Sequence, residues 1–149
     1  MVSATIVLNS GPLSLLSHPR AKPPVVACRQ WADSLLAAGR RVIVPEITDH
    51  EVRRELIRAG RSRSVRALDS IAAQFEYLPL TTTMMRRAAE LWAHARSQGR
   101  PTAPDPALDG DVILAAQALS LGVPVIVATG NPAHLSRFVP ADVWQNIAP

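Results

Sequence analysis

Thr5-Ile6-Val7-Leu8-Asn9-Ser10-Gly11-Pro12 is an apolar run that stops on a polar pair and a Gly-Pro break. Without polar alternation it reads as a strand buried on both faces, with Gly11-Pro12 as the turn that ends it. Val125-Ile126-Val127-Ala128-Thr129-Gly130-Asn131 repeats the design near the other end of the chain, again with polar groups where the strand stops. Between them, Leu108-Asp109-Gly110-Asp111-Val112-Ile113-Leu114-Ala115-Ala116 sets two carboxylates at the opening of an apolar helix. Buried strands separated by helices call for a short parallel sheet flanked by helices on both faces, a three-layer α/β fold. Ligands of such sheets gather at the C-terminal ends of the strands, where Asn9 and Thr129-Gly130-Asn131 fall.

The remaining elements fill in around these three. A short helix is expected near Leu13 to Ser17 and a longer one from about Val25 to Ala38, closed by Gly39. A strand over Arg41 to Val44 leads through Pro45 into a helix that runs to about Gly60, and another helix spans about Ser64 to Phe75. Tyr77 to Leu80 reads as a strand, and Thr82 or Thr83 as the cap of a long helix stopping at Gly99. After the Val125 strand come a helical turn near His134 and a strand-like piece around Val143 to Ile147. The proline-rich pieces Pro19 to Pro24 and Pro101 to Pro106 are short enough to be loops rather than linkers.

The length of 149 residues suits a single domain over 1–149, and an apolar fraction of 48% suits a folded globule. Cys28 is the sole cysteine, which excludes a disulfide framework and a cysteine-based zinc site. No run approaches the ~20 apolar residues of a membrane helix. The start has no basic region and Asn9-Ser10-Gly11-Pro12 interrupts its apolar stretch, so no signal peptide and a cytoplasmic location are expected. The net charge of +4 permits a polyanionic partner without demonstrating one. Lys22 is the only lysine, and this arginine bias fits either bidentate phosphate contacts or a coding preference.

No G-x-G-x-x-G follows the first strand and no G-x-x-x-x-G-K-[ST] occurs, so neither dinucleotide nor P-loop chemistry is supported. Four blocks carry a different pattern: Leu8-Asn9-Ser10, then Thr48-Asp49-His50-Glu51, then Asp111-Val112-Ile113-Leu114-Ala115-Ala116, then Thr129-Gly130-Asn131 followed by His134-Leu135. In this order and spacing they resemble the PIN-domain family, the ribonuclease fold used by VapC-type toxins of bacterial toxin–antitoxin pairs. The resemblance covers nearly the whole chain. It departs from the family at Asn9, where the family has an Asp, and at His134, where an acid is common, although some branches carry His-Leu there. A natural loss and a deliberate replacement of Asp both account for Asn9.

What the resemblance implies is a metal-dependent endoribonuclease that hydrolyses RNA phosphodiester bonds with Mg²⁺ or Mn²⁺. Glu51 and Asp111 would be the main ligands and Asp109 a further carboxylate, with Asn9 offering a carbonyl oxygen but no charge. Ser10, Thr129, Asn131 and His134 would support ligands or phosphate. Oxygen donors suit such ions, which orient phosphate and activate water. A unit charge ~4 Å from another is worth roughly 4 kcal/mol at an effective dielectric of 20, so the loss at Asn9 implies weak or absent cleavage. The resemblance also implies a cognate small antitoxin protein and a homodimer. The alternative is a non-catalytic PIN module that binds RNA or a protein partner.

Plainer roles compete for the same residues. Asp109 and Asp111 also suit the cap and first turn of a helix, where acids favour the dipole. Glu51 borders the buried stripe marked by Val52 and Leu56, so it faces either a cleft or solvent. Arg53, Arg54 and Arg58 belong to a basic run that is either a solvated face or a row of RNA contacts. Trp31, Trp92 and Trp144 sit among apolar neighbours and are expected to pack.

Overall fold

A computed structural model describes residues 3–98 and the chain from 105 to 149, with side chains in the second stretch from 108 onward. The opening segment forms β1 (Thr5–Leu8), followed by α1 (Ser10–Leu16) and α2 (Pro23–Ala37). Next come β2 (Val42–Pro45), α3 (Glu46–Arg58), α4 (Ser62–Gln74), β3 (Glu76–Leu78) and α5 (Thr82–Ser97). The chain ends in α6 (Asp105–Ser120), β4 (Val125–Thr129), β5 (Ala141–Val143) and a single 3₁₀ turn at Trp144–Asn146. The five strands form one parallel sheet in the order β3-β2-β1-β4-β5.

Strand alternation divides the core into two layers, one on each side of the sheet. Ile6, Leu8, Val42 and Val44 pack with Leu13 and Leu16 of α1, Cys28, Trp31 and Leu35 of α2, Val52 of α3 and Leu68 of α4. Val7, Ile43, Val125 and Val127 face the opposite way, onto Leu114, Ala115 and Ala118 of α6. Helix α5 then covers α6 through Ala88 and Ala95 against Leu108, Val112 and Ala116. The expected parallel sheet covered on both faces is therefore the observed one. Trp31 and Trp144 pack as read, with ring centroids 5.4 Å apart and Trp31 Nε1 donating to the Ile147 carbonyl at 2.9 Å. Trp92 lies half-buried against the α5–α6 layer.

Several element starts differ from expectation. Helix α1 begins at Ser10 rather than Leu13, so Gly11-Pro12 is its first turn and not a break after the strand. Helix α6 begins at Asp105, which puts Pro106 in its first turn and Asp109 and Asp111 beyond it. A first-turn residue has no carbonyl partner for its N–H, so proline there costs little. Helix α5 is capped by Thr81, not Thr82 or Thr83, because Thr81 Oγ1 accepts the Met84 N–H at 3.1 Å. Strand β5 also precedes the expected Val143 to Ile147 piece, meeting it only at Val143. The expected stop at Gly99 and residues 101–104 of the proline-rich piece lie outside the described residues.

Candidate functional site

Strand β1 pairs with β2 on one side and β4 on the other, and the chain reverses its direction across the sheet at β1. Such a reversal opens a crevice beyond the C-terminal strand ends. Asn9 closes that crevice from below. Its backbone N–H donates to the Ala128 carbonyl at 2.9 Å, and its side chain spans both neighbours. Nδ2 donates to Thr129 Oγ1 at 3.0 Å, while Oδ1 accepts the Ser10 N–H at 2.8 Å and so caps α1. Thr129 Oγ1 also accepts the Asn131 N–H at 3.2 Å. Asn131 itself is exposed, and its Oδ1 accepts the Ala133 N–H at 3.3 Å to shape the loop after β4. Gly11 brings α1 close to this loop, since a Cβ there would lie 3.4 Å from the Gly130 nitrogen.

Helix α3 delivers Glu51. Thr48, fully buried, donates through Oγ1 to the Leu8 carbonyl at 2.9 Å, which ties the first turn of α3 to the end of β1. Glu51 follows one turn later. Buried Gln117 of α6 accepts the otherwise unpaired Ile47 N–H at 3.1 Å and donates to the Leu78 carbonyl at 2.8 Å. It thus fixes α6 against the start of α3. Between Asp109 and Asp111 of α6, Gly110 presents bare backbone to Glu51. A Cβ there would sit 3.0 Å from Glu51 Oε2 and 3.4 Å from Oε1 and Cδ. The Glu51 carboxylate therefore rests on the α6 backbone beside Asp111.

Both carboxyls are half-buried and both bind their protons more tightly than usual. Burial is the main cause at Glu51; the Asp111 charge adds to it, while Arg54 and His50 oppose it. At Asp111 burial again dominates, opposed by His134 and Arg137. Arg54 lines an open cleft of about 290 Å³ with Ser10, Ser14 and Glu51. The crevice is thus two partly desolvated carboxylates, a neutral Asn9 and a rim of cationic or protonatable groups. Carboxylate oxygens suit Mg²⁺ or Mn²⁺, and Glu51 with Asp111 provides two such donors. Among the described residues, no three His, Cys, Asp or Glu side chains converge as a metal site. The side chain that would make a third acid at the β1 end is the amide of Asn9.

The other expected residues divide. Ser10 lines the cleft with Glu51, His134 lies within electrostatic reach of Asp111, and Thr129 bonds Asn9. Asp109 lies apart: it is exposed and lines a groove with Met85 of α5 and Trp92, about 200° around the helix from Asp111. The position of Asp111 beyond the first turn of α6 also removes the helix-cap reading. Arg53 pairs with Asp49 at 3.0 Å and Asp69 at 2.8 Å, and Tyr77 donates to Asp49 at 2.8 Å, so Arg53 knits α3 to α4. Arg58 pairs with Glu55 at 2.8 Å on the surface. Only Arg54 of that trio reaches the crevice. Gly110, Gln117 and Arg137 were missed. The spacing of Arg137, three residues after His134, was a signal that went unread, whereas Gln117 looked like one more residue of an apolar helix.

The sequence profile of the PIN domain matches residues 15–134. No curated protein matches the chain. Among solved structures, VapBC2 from Rickettsia felis bound to a promoter DNA fragment has a TM-score of 0.71 at 13% identity, covering 94% of this chain and 98% of the other. FitAcB from Neisseria gonorrhoeae has a TM-score of 0.70 at 22% identity, covering 96% and 100%. VapC20 from Mycobacterium tuberculosis, a sarcin-ricin loop cleaving toxin, has a TM-score of 0.64 at 15% identity, covering 91% and 97%. Among the described residues no helix is long and apolar enough to cross a membrane. With the profile spanning most of the chain and the parallel sheet in place, this chain belongs to the PIN-domain family.

Proposed function

We propose that the chain, acting as one domain over 1–149, is a metal-dependent endoribonuclease of the VapC type, weakened at one ligand position by Asn9. The observation that carries this reading is the contact of the Glu51 carboxylate with the α6 backbone at Gly110, beside Asp111, at the strand reversal. Two desolvated carboxylates that repel each other are poised to gain from a divalent cation. Glu51 and Asp111 would hold Mg²⁺ or Mn²⁺, with the Asn9 amide as a neutral third group and Asp109 outside the set. The ion, when bound, supplies charge stabilisation at phosphate and activation of the attacking water.

The chain's own side chains do the remainder. Thr129 holds the Asn9 amide by hydrogen bonding, and Thr48 and Gln117 fix the spacing of α3 and α6. Arg54, His134 and Arg137 receive the RNA phosphate around the carboxylates. Arg53 instead ties α3 to α4 through Asp69, and Arg58 pairs with Glu55 on the α3 surface. The fold likeness to VapBC structures supports a small antitoxin protein as a partner, and the family resemblance supports a homodimer.

A second reading, a non-catalytic module that binds RNA or a protein, is favoured by the neutral Asn9 alone. RNA cleavage in Mn²⁺ or Mg²⁺ separates the two. The nuclease reading expects little cleavage by this chain, cleavage by Asn9→Asp, and none by Asn9→Asp with Asp111→Ala. Failure of Asn9→Asp to cut any RNA or bind metal would leave the binding module.

A further inference from the structure

The turn between α3 and α4 treats its two helix ends unequally. The end of α3 is capped by three backbone bonds. The Ala59 N–H donates to the Glu55 carbonyl at 3.0 Å, Gly60 to Ile57 at 3.0 Å and Arg61 to Leu56 at 2.9 Å. Gly60 makes this possible with a φ of +67°, a left-handed conformation that glycine adopts without strain. The start of α4 has no such provision. Its N-cap is Arg61, whose side chain makes no capping bond, and the first backbone bond into the helix comes from Val65. The N–H groups of Ser62, Arg63 and Ser64 therefore point out of the helix without partners among the described residues.

A second feature lies at the same place. Ser64 is only 3% exposed, yet its hydroxyl makes no hydrogen bond to any described residue. Ser64 lines a cleft of about 330 Å³ together with Arg20, Arg61, Ser62 and Arg63. No carboxylate lines this cleft. Arg20, Arg61 and Arg63 form no ion pair among the described residues, whereas Arg41, Arg53, Arg58 and Arg87 all do. Orphan helix-start N–H groups, the unpartnered hydroxyl of a serine at the cleft wall and three guanidinium groups without ion pairs among the described residues are the chemistry that binds a phosphate.

We propose that the α4 start is a phosphate-binding site separate from the carboxylate crevice. The N–H groups of Ser62 to Ser64 and the Ser64 hydroxyl would bond the phosphate oxygens, with Arg20, Arg61 and Arg63 neutralising its charge. The proposal does not depend on the nuclease reading. The phosphate comes either from an RNA backbone or from a small phosphorylated molecule.

The test is a backbone amide NMR titration of the whole protein with inorganic phosphate, then with a short single-stranded RNA in EDTA. The site predicts saturable shifts at Ser62 to Ser64. It predicts affinity about fivefold to tenfold lower in Ser64→Ala and at least about tenfold lower in Arg61→Gln with Arg63→Gln. Ser64→Ala keeps the test valid even if the double variant fails to fold. The same amides moving with RNA would identify a strand phosphate as the ligand, and their moving with phosphate alone would identify a small phosphorylated one. Shifts that do not saturate, or that are unchanged in Ser64→Ala, would overturn the proposal.

Discussion

Replacing Gln117 by Leu tests whether one buried amide sets the geometry of the crevice. Gln117 is fully buried, accepts the Ile47 N–H at 3.1 Å and donates to the Leu78 carbonyl at 2.8 Å. Leucine keeps most of the volume but strands both backbone groups. Leaving a buried polar group unpaired costs about 1–3 kcal/mol each, and added apolar burial returns part of it, so the expected loss is about 2–4 kcal/mol. For a chain of this size each kcal/mol moves the melting temperature by about 2–4 °C, giving a fall of about 5–15 °C. Urea unfolding and calorimetry read this directly. Gln117→Glu separates the two bonds, because a carboxylate still accepts from Ile47 but cannot donate to Leu78. A loss below about 1 kcal/mol in Gln117→Leu would refute the reasoning, since two buried groups cannot lose their partners so cheaply.

Further predictions follow from the same contacts. Gly110→Ala sets a methyl group 3.0 Å from Glu51 Oε2; in an Asn9→Asp background it should lower Mn²⁺ affinity about tenfold with the fold intact by circular dichroism. Unchanged affinity would show that the Glu51–Gly110 contact is irrelevant to the ion. Thr48→Val removes the hydroxyl bond to the Leu8 carbonyl and should cost about 1–2 kcal/mol in urea unfolding, with no loss expected only if that carbonyl finds another donor. Glu51 and Asp111 hold protons above the ordinary values of 4.5 and 3.8 because they are buried. The folded state therefore binds more protons than the unfolded one just above those values, and stability falls as pH rises from about 4 through the raised folded values. Asp111→Asn removes its part of that dependence, so its stability relative to the parent should climb across the window. A difference independent of pH would contradict the burial of Asp111.

The sheet was legible because its strands are unbroken apolar runs, and such runs need helices on both faces. The crevice was legible for a related reason: a parallel sheet exposes its strand ends, and Asn9, Thr129 and Asp111 are polar where the apolar pattern stops. Two helix starts were misread from one cause. Pro12 and Pro106 look like breaks, yet each occupies a first turn, where a missing N–H has nothing to lose. That misplacement put Asp109 and Asp111 at the cap and first turn of the helix. With α6 begun earlier, helical geometry sends Asp109 into the α5–α6 groove and leaves Asp111 at the crevice. Gln117 and Gly110 were illegible because their roles depend on contacts between helices distant in sequence. The pairing of Arg53 with Asp69 likewise became visible only when α3 and α4 came together.

The central claim is a divalent-cation site short of one charge at Asn9. Its most direct test is isothermal titration of Mn²⁺ into this protein and into Asn9→Asp. An aspartate there fits the existing contacts, with one oxygen accepting from Ser10 and the other from the Thr129 hydroxyl turned to donate. The account predicts affinity stronger by roughly two orders of magnitude in Asn9→Asp, about 2.7 kcal/mol, and loss of that gain when Asp111→Ala is added. Equal Mn²⁺ affinity in the two proteins would contradict it.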